Sequence, residues 1–318
     1  MTYHTVLPHR PAFFPGDDLV TFVRALCQLW NVDVRTAASW IGLPHVDSLN
    51  SAVLSDAESM RDRFTFEQKI AAARVMGINC SDLDHSSVWG YRHTQLVTGT
   101  NTLFHRRYRP GRLLYPDAFP ACVACVHERP YARKFLWRCP LVPVCFEHRL
   151  VLQMRCHSCS REFNLPSRNE KFACDHAMSP ADRALISVDT IPGLEESAIA
   201  VRDEIEEQLT QGVPSYQRVD LGAVAEAMMF LSRRRFNRPD RPEKFAWDER
   251  TPWATLLPAA AHLATTPPSQ LGHELDELPV TRSLSQRQEY FRGWPPVSGR
   301  MSQLLAAANA RQKNSRAV

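Results

Sequence analysis

Thiols and imidazoles recur in pairs between Cys122 and His176: Cys122-Val-Ala-Cys125, Cys145-Phe-Glu-His148, Cys156-His-Ser-Cys159 and Cys174-Asp-His176. Two residues between ligands let both side chains of a tight turn reach one cation. Four nitrogen or sulfur donors then complete the tetrahedron that zinc accepts without strain. Four pairs make two structural Zn2+ sites. The simplest assignment is sequential, with Cys122, Cys125, Cys145 and His148 on one ion and Cys156, Cys159, Cys174 and His176 on the other. An interleaved pairing satisfies the same spacing. Cys174 and His176 have the shorter link, and His157 is an alternative to His176. Cys139 lies close enough to Cys145 to be an alternative ligand, while Cys27 and Cys80 stand apart and read as small buried hydrophobes.

Charge gathers on the same stretch. Between Arg92 and Lys171 there are fourteen Lys and Arg against five Asp and Glu, whereas the whole chain carries only +4. Arg106, Arg107, Arg109 and Arg112 precede the first pair, interleaved with Tyr108 and Tyr115, and Arg129, Arg133, Lys134 and Arg138 lie between its two halves. Guanidinium groups offer forked donors that suit phosphate, and a neighbouring aromatic ring can stack on a base or sugar. These residues predict contact with DNA. A solvated surface on a zinc domain too small to hide its charges has the same composition.

The elements that must position these residues are mainly helical. Pro15-Gly16 forces a turn, and Asp17 or Asp18 caps an amphipathic helix running to Trp30. Asp33 caps a second helix through Ile41, closed by Gly42. Two short helices joined by a tight turn predict a helix-turn-helix-like element, with Arg35 and Ser39 as exposed positions able to reach base edges. A helical hairpin that only packs a core has the same pattern. Thr65 and Gln68 form a capping box for a third helix, which ends near Met76 with Gly77 as its stop.

Beyond Ser179-Pro180 a helix lies between Gly193 and Gly212. Its glutamates and aspartates, Glu204 included, read as a solvated face. Another helix starts at Asp220 and buries Leu221, Val224, Ala225, Met228 and Leu231. The prolines from Pro239 to Pro268 predict a long irregular connection with only short helices. Ser283 and Gln286 can cap a helix stopping at Gly293, and a last one follows Pro295-Pro296. The expected architecture is mainly α with a small zinc-stapled, ribbon- or knuckle-like centre. Its domains are residues 1–88 (helical, helix-turn-helix-like), 89–178 (basic, with two zinc sites) and 179–318 (helical, with a proline-rich connection).

Composition is that of an ordinary globular protein, 44% hydrophobic and 23% charged. The first residues lack an apolar signal core and no run is long enough to cross a bilayer, so the expectation is a cytoplasmic protein without a membrane partner. A reducing cytosol favours metal over disulfide for these cysteines. No phosphate loop, no His-Glu-x-x-His and no Gly-x-Ser-x-Gly elbow is present. Pro120 to Cys125 resembles half of a zinc deaminase signature, yet no His-x-Glu precedes it. With every ligand supplied by the protein, no coordination position remains for a catalytic water, and an enzyme is not expected.

The lead-in Leu7-Pro-His-Arg-Pro11 with Pro15-Gly-Asp-Asp-Leu19, then Phe119 to Cys125, Trp137-Arg138, Val144 to His148, Leu152 and the two later pairs, resembles the TniQ family over roughly Leu7 to Met178. That family includes TnsD-type target-selection proteins and subunits of RNA-guided transposons. Gly293-Trp-Pro-Pro296 looks like an element in the C-terminal parts of longer members. The resemblance implies a bacterial, nucleoid-associated adaptor that binds DNA, helps to choose an insertion site and links it to an AAA+ ATPase regulator and a transposase. It also implies a homodimer and association with a guide-RNA effector complex in some members. His176 departs from the second cysteine that many members have, and the C-terminal half matches loosely.

Overall fold

Asp18 starts the first helix. Its Oδ1 accepts the Val20 N–H at 2.7 Å and its carbonyl accepts the Thr21 hydroxyl, supplying the partners that a helix N-terminus lacks. Helix α1 then runs Leu19–Trp30 and ends at Asn31 in the left-handed region (φ 51°), whose N–H returns to the Cys27 carbonyl. The computed structural model describes residues 9–43, 65–87, 120–129, 133–154, 185–211, 219–231 and 253–271, with residues 273, 303, 306 and 307 besides. It divides into two units, one holding Met1–His93 with Leu114–Ser187 and the other Thr94–Leu113 with Val188–Val318. The expected domain boundaries near residues 88 and 178 lie outside the described residues.

In the first unit, α2 (Val34–Trp40) is capped by Asp33, whose carboxylate accepts the Thr36 N–H at 2.7 Å. The capping box of Thr65 and Gln68 opens α3 (Phe66–Met76), and Gly77 closes it at φ 67°, a conformation a side chain would resist. Helix α4 (Cys80–Asp84) follows after one short turn. The sequence predicts an amphipathic α1, but Leu19 through Cys27 are buried on every side. Ala37, Ala38 and Ile41 of the α2 region, Ala72, Val75 and Met76 of α3, and Leu83 of α4 share one core with it. Asp17 and Asp18 before α1 are buried as well, whereas Leu29 and Trp30 at its far end are exposed.

The Cys/His segment of the same unit has little regular structure. Helix α5 (Val123–Glu128) begins directly after Cys122, and a 3-10 turn covers Phe135–Arg138. Strands β1 (Val144–Cys145) and β2 (Leu150–Val151) form a small antiparallel hairpin with Val144 opposite Val151 and Cys145 opposite Leu150. Ala121 and Gln153 exchange both backbone hydrogen bonds, at 2.8 and 2.9 Å, and so bring the start of α5 beside the hairpin. Residues 16–18 bind residues 133–135 through Asp18 N–H to the Arg133 carbonyl (2.6 Å) and Phe135 N–H to the Gly16 carbonyl (2.8 Å). The Pro-Gly-Asp-Asp turn is thus stitched to the Cys/His segment by its backbone.

The second unit contains a 3-10 turn at Val188–Thr190 and helices α6 (Leu194–Gln211), α7 (Leu221–Leu231) and α8 (Trp253–Thr265). Asp220 Oδ1 accepts the Ala223 N–H at 3.1 Å, as its place before α7 predicts. Two expectations change here. Glu204, read as solvated, is 2% exposed, accepts the Gln208 amide at 2.8 Å and meets the Val219 N–H at 3.3 Å. A thirteen-residue helix stands within the region expected to be irregular, with Pro258 inside it. Ala254, Leu257, Ala260 and Leu263 fall at helical spacing and are all buried, and that burial outweighs the one hydrogen bond that the proline removes. The expected helices near Ser283 and Pro295 lie outside the described residues. Among the described residues, no helix is long and apolar enough to cross a membrane.

Candidate metal centre

Helix α5 presents Cys122 at its cap and Cys125 on its first turn, while the hairpin presents Cys145 at the end of β1 and His148 in the turn before β2. Arg149 completes that turn in the left-handed region (φ 52°), which reverses the chain within four residues of Cys145. The structure therefore brings together Cys122, Cys125, Cys145 and His148, with every ligand atom within 4.8 Å of the others. Cys125 Sγ lies 3.6 Å from Cys145 Sγ and 3.2 Å from His148 Nδ1, and Nδ1 is 3.7 Å from both Cys122 Sγ and Cys145 Sγ. A tetrahedral cation with metal–sulfur bonds of about 2.3 Å requires sulfur–sulfur edges of about 3.8 Å. The four donors fit one metal ion on both chemistry and spacing.

Trp137 and Leu152 pack against the three cysteines, with Leu150 and Ala124 at the margin. This apolar backing limits water at the centre. The three thiols respond to one another. Bonds from Cys122 and Cys125 pull Cys145 down to about 2. Cys122 is favoured by its bond to Cys125, but Cys145 and burial push it further, up to about 11. Bonds to Cys122 and to Cys145, together with burial, push Cys125 up as well. Thiols this close disfavour ionising together, and a cation bound among them would favour the charged form of all three.

The outer ring consists of carboxylates and cations. Glu128 Oε1 stands 2.9 Å from His148 Nε2, and Glu147 Oε2 lies 3.4 Å from Cys125 Sγ. Burial pulls the His148 imidazole down, but Glu128 and Cys145 more than offset it, so its pKa is raised. Sequence reading assigned no role to either glutamate, although the separation of Glu128 from Cys125 by one helical turn was available as a signal.

Several residues expected at a DNA surface have other positions. Arg133 is 2% exposed, and burial pulls it down to about 10 while the thiols of Cys125 and Cys122 act to keep it charged. Lys134 Nζ meets Asp17 Oδ1 at 3.1 Å and accompanies Arg129 near Glu147. Arg129 also covers the Phe14 ring at 4.2 Å. By contrast, Arg35 and Ser39 are exposed on α2, and the Ser39 hydroxyl donates to the Thr36 carbonyl at 2.8 Å. Arg106, Arg107, Arg109 and Arg112 lie outside the described residues, as do Cys156, Cys159, Cys174 and His176. Cys139, the alternative ligand, is buried apart from the cluster, and burial pushes it up to about 12.

No curated protein and no solved structure matches the chain. The TniQ family model matches residues 8–152, a span that begins just before the Pro-Gly-Asp-Asp turn and closes just after the hairpin. TniQ is a non-catalytic domain associated with transposition complexes. The cluster, the hairpin that carries half of it and the aspartates that tie it to α1 all fall inside the matched residues, and over that span the chain is similar to the TniQ family.

Proposed function

We propose that the chain is a zinc-stapled accessory protein of transposition that binds DNA, selects or marks the insertion site and links it to an AAA+ regulator and transposase. The observation that carries this reading is the coincidence of the TniQ match with a buried Cys3His cluster of tetrahedral dimensions. Three thiolates and an imidazole favour zinc over hard cations, which prefer oxygen. The role of the metal is structural, because the four protein donors fill its coordination. The second ion is assigned to Cys156, Cys159, Cys174 and His176.

DNA contact is assigned to Arg35 and Ser39 on α2 and to Arg106, Arg107, Arg109 and Arg112. Arginines before the first knuckle would follow the phosphates, and α2 would contribute preference among sequences. A second reading has a specific observation in its favour. The basic residues between the ligand pairs hold the N-terminal turn, with Arg138 on Asp18 and Lys134 on Asp17, so this face serves assembly of the fold. A zinc-stabilised protein-interaction scaffold without DNA contact would need no more.

The separating experiment is binding of zinc-loaded protein to random duplex DNA at two salt concentrations. Counterion release predicts a steep loss of affinity with salt, about 0.9 in log–log slope for each phosphate neutralised. Replacing Arg106, Arg107 and Arg109 by alanine reduces that slope for all sequences, whereas Arg35→Ala changes the preference among them. A folded, zinc-loaded triple variant with the parent slope favours the scaffold.

A further inference from the structure

His148 reaches the cluster through Nδ1, and which ring nitrogen can bind a metal depends on what holds the other one. The other here is Nε2, 2.9 Å from Glu128 Oε1. A carboxylate accepts the Nε2 proton, and a neutral ring held in this way keeps its lone pair on Nδ1, the nitrogen that faces the thiols. Glu128 follows Cys125 by one turn on α5, so a single short helix supplies both a ligand and the carboxylate that faces a second ligand from outside. His148 itself stands on a tight turn and is only 22% exposed along its side chain, with Glu128 at its outer nitrogen.

We propose that Glu128 is the positioning residue of the metal centre, fixing the His148 tautomer and ring plane so that Nδ1 is presented to the ion. This rests on the zinc reading above. It adds a residue outside the ligand set, with a role in metal affinity rather than in folding. Glu128 is 59% exposed along its side chain and is not among the buried residues of the core. Its removal therefore spares the fold and acts on the ion. Outer carboxylates of this kind alter metal affinity by about 10–100-fold, and the exposure of this one points to the lower end.

The experiment is zinc affinity by chelator competition on the full chain, comparing the parent with Glu128→Ala and Glu128→Gln. Glu128→Ala is expected to bind zinc about tenfold more weakly at the Cys122–His148 site. Glu128→Gln, which keeps an acceptor oxygen, is expected to lose less. Cobalt-loaded variants should retain the tetrahedral thiolate spectrum, because the ligands are unchanged. Nitrogen-15 resonances of His148 in the zinc-loaded parent are expected to show a proton on Nε2, a readout that no general loss of stability would mimic. Equal affinity in all three proteins, or a His148 proton on Nδ1, overturns the role of Glu128 and leaves the zinc reading intact. A parent that takes up no zinc at that site overturns both.

Discussion

Arg138 Nη1 donates to Asp18 Oδ2 at 3.3 Å, and neither side chain is more than 2% exposed. One aspartate thereby caps α1 with one oxygen and binds the Cys/His segment with the other. Burial pushes the Asp18 carboxyl up, against Arg138 and the Val20 and Thr21 groups that favour its charge.

A buried pair of this kind is costly to break by halves. Asp18→Asn keeps the cap but removes the charge that faces Arg138, and a loss of about 3–5 kcal/mol is expected, as for other broken buried pairs. Combining it with Arg138→Met should cost less than the sum of the single changes by about 1–3 kcal/mol. Chemical denaturation of the four proteins measures that coupling. Strict additivity would mean that the two side chains do not act on each other.

Metal removal should loosen the hairpin first. The N–H groups of Val151, Leu152 and Gln153 bond to the carbonyls of Ile186, Pro143 and Ala121, around a turn that holds two ligands. Hydrogen exchange on chelation is expected to accelerate at these amides. Unchanged protection there would show that the hairpin stands without the ion.

Metal uptake should release protons. Against its bond to Cys125, Cys122 is raised by Cys145 and by burial, and Cys125 is raised by Cys122, by Cys145 and by burial, so thiol protons are held at the cluster before a cation binds. Binding requires thiolates and a neutral imidazole, so protons leave on uptake and affinity rises with pH until the raised groups ionise unaided. Calorimetry in buffers of different ionisation heat counts them. No release near neutral pH would contradict the thiol assignment.

Pro258 interrupts the hydrogen-bond ladder of α8. Pro258→Ala restores an N–H and should raise stability, by up to about 3 kcal/mol where the backbone relaxes fully. Thermal unfolding reads this directly, and a lowered midpoint would mean that the ring's packing outweighs the lost bond.

The parts legible in the sequence are those fixed by local chemistry. Asp18, Asp33, Thr65 with Gln68, Gly77, Gly193 and Asp220 mark helix ends by hydrogen bonds a few residues long, and each stands where its type predicts. The first two Cys/His pairs were legible because ligand spacing is local as well. What depends on distant neighbours was not. The enclosure of α1, the burial of Glu204, and the use of Arg133 and Arg138 inside the fold rather than on a surface follow from partners far away in the chain. Proline count misled at α8 because composition does not show which face a helix buries.

The most direct measurement of the central claim, that a metal ion at Cys122, Cys125, Cys145 and His148 holds this domain together, is the zinc content of the purified chain by elemental analysis. The account predicts two equivalents per chain from the ligand pairs in its sequence, and one fewer in Cys122→Ser with loss of ordered structure in the Cys/His segment. A wild-type chain that is folded and free of zinc would contradict it.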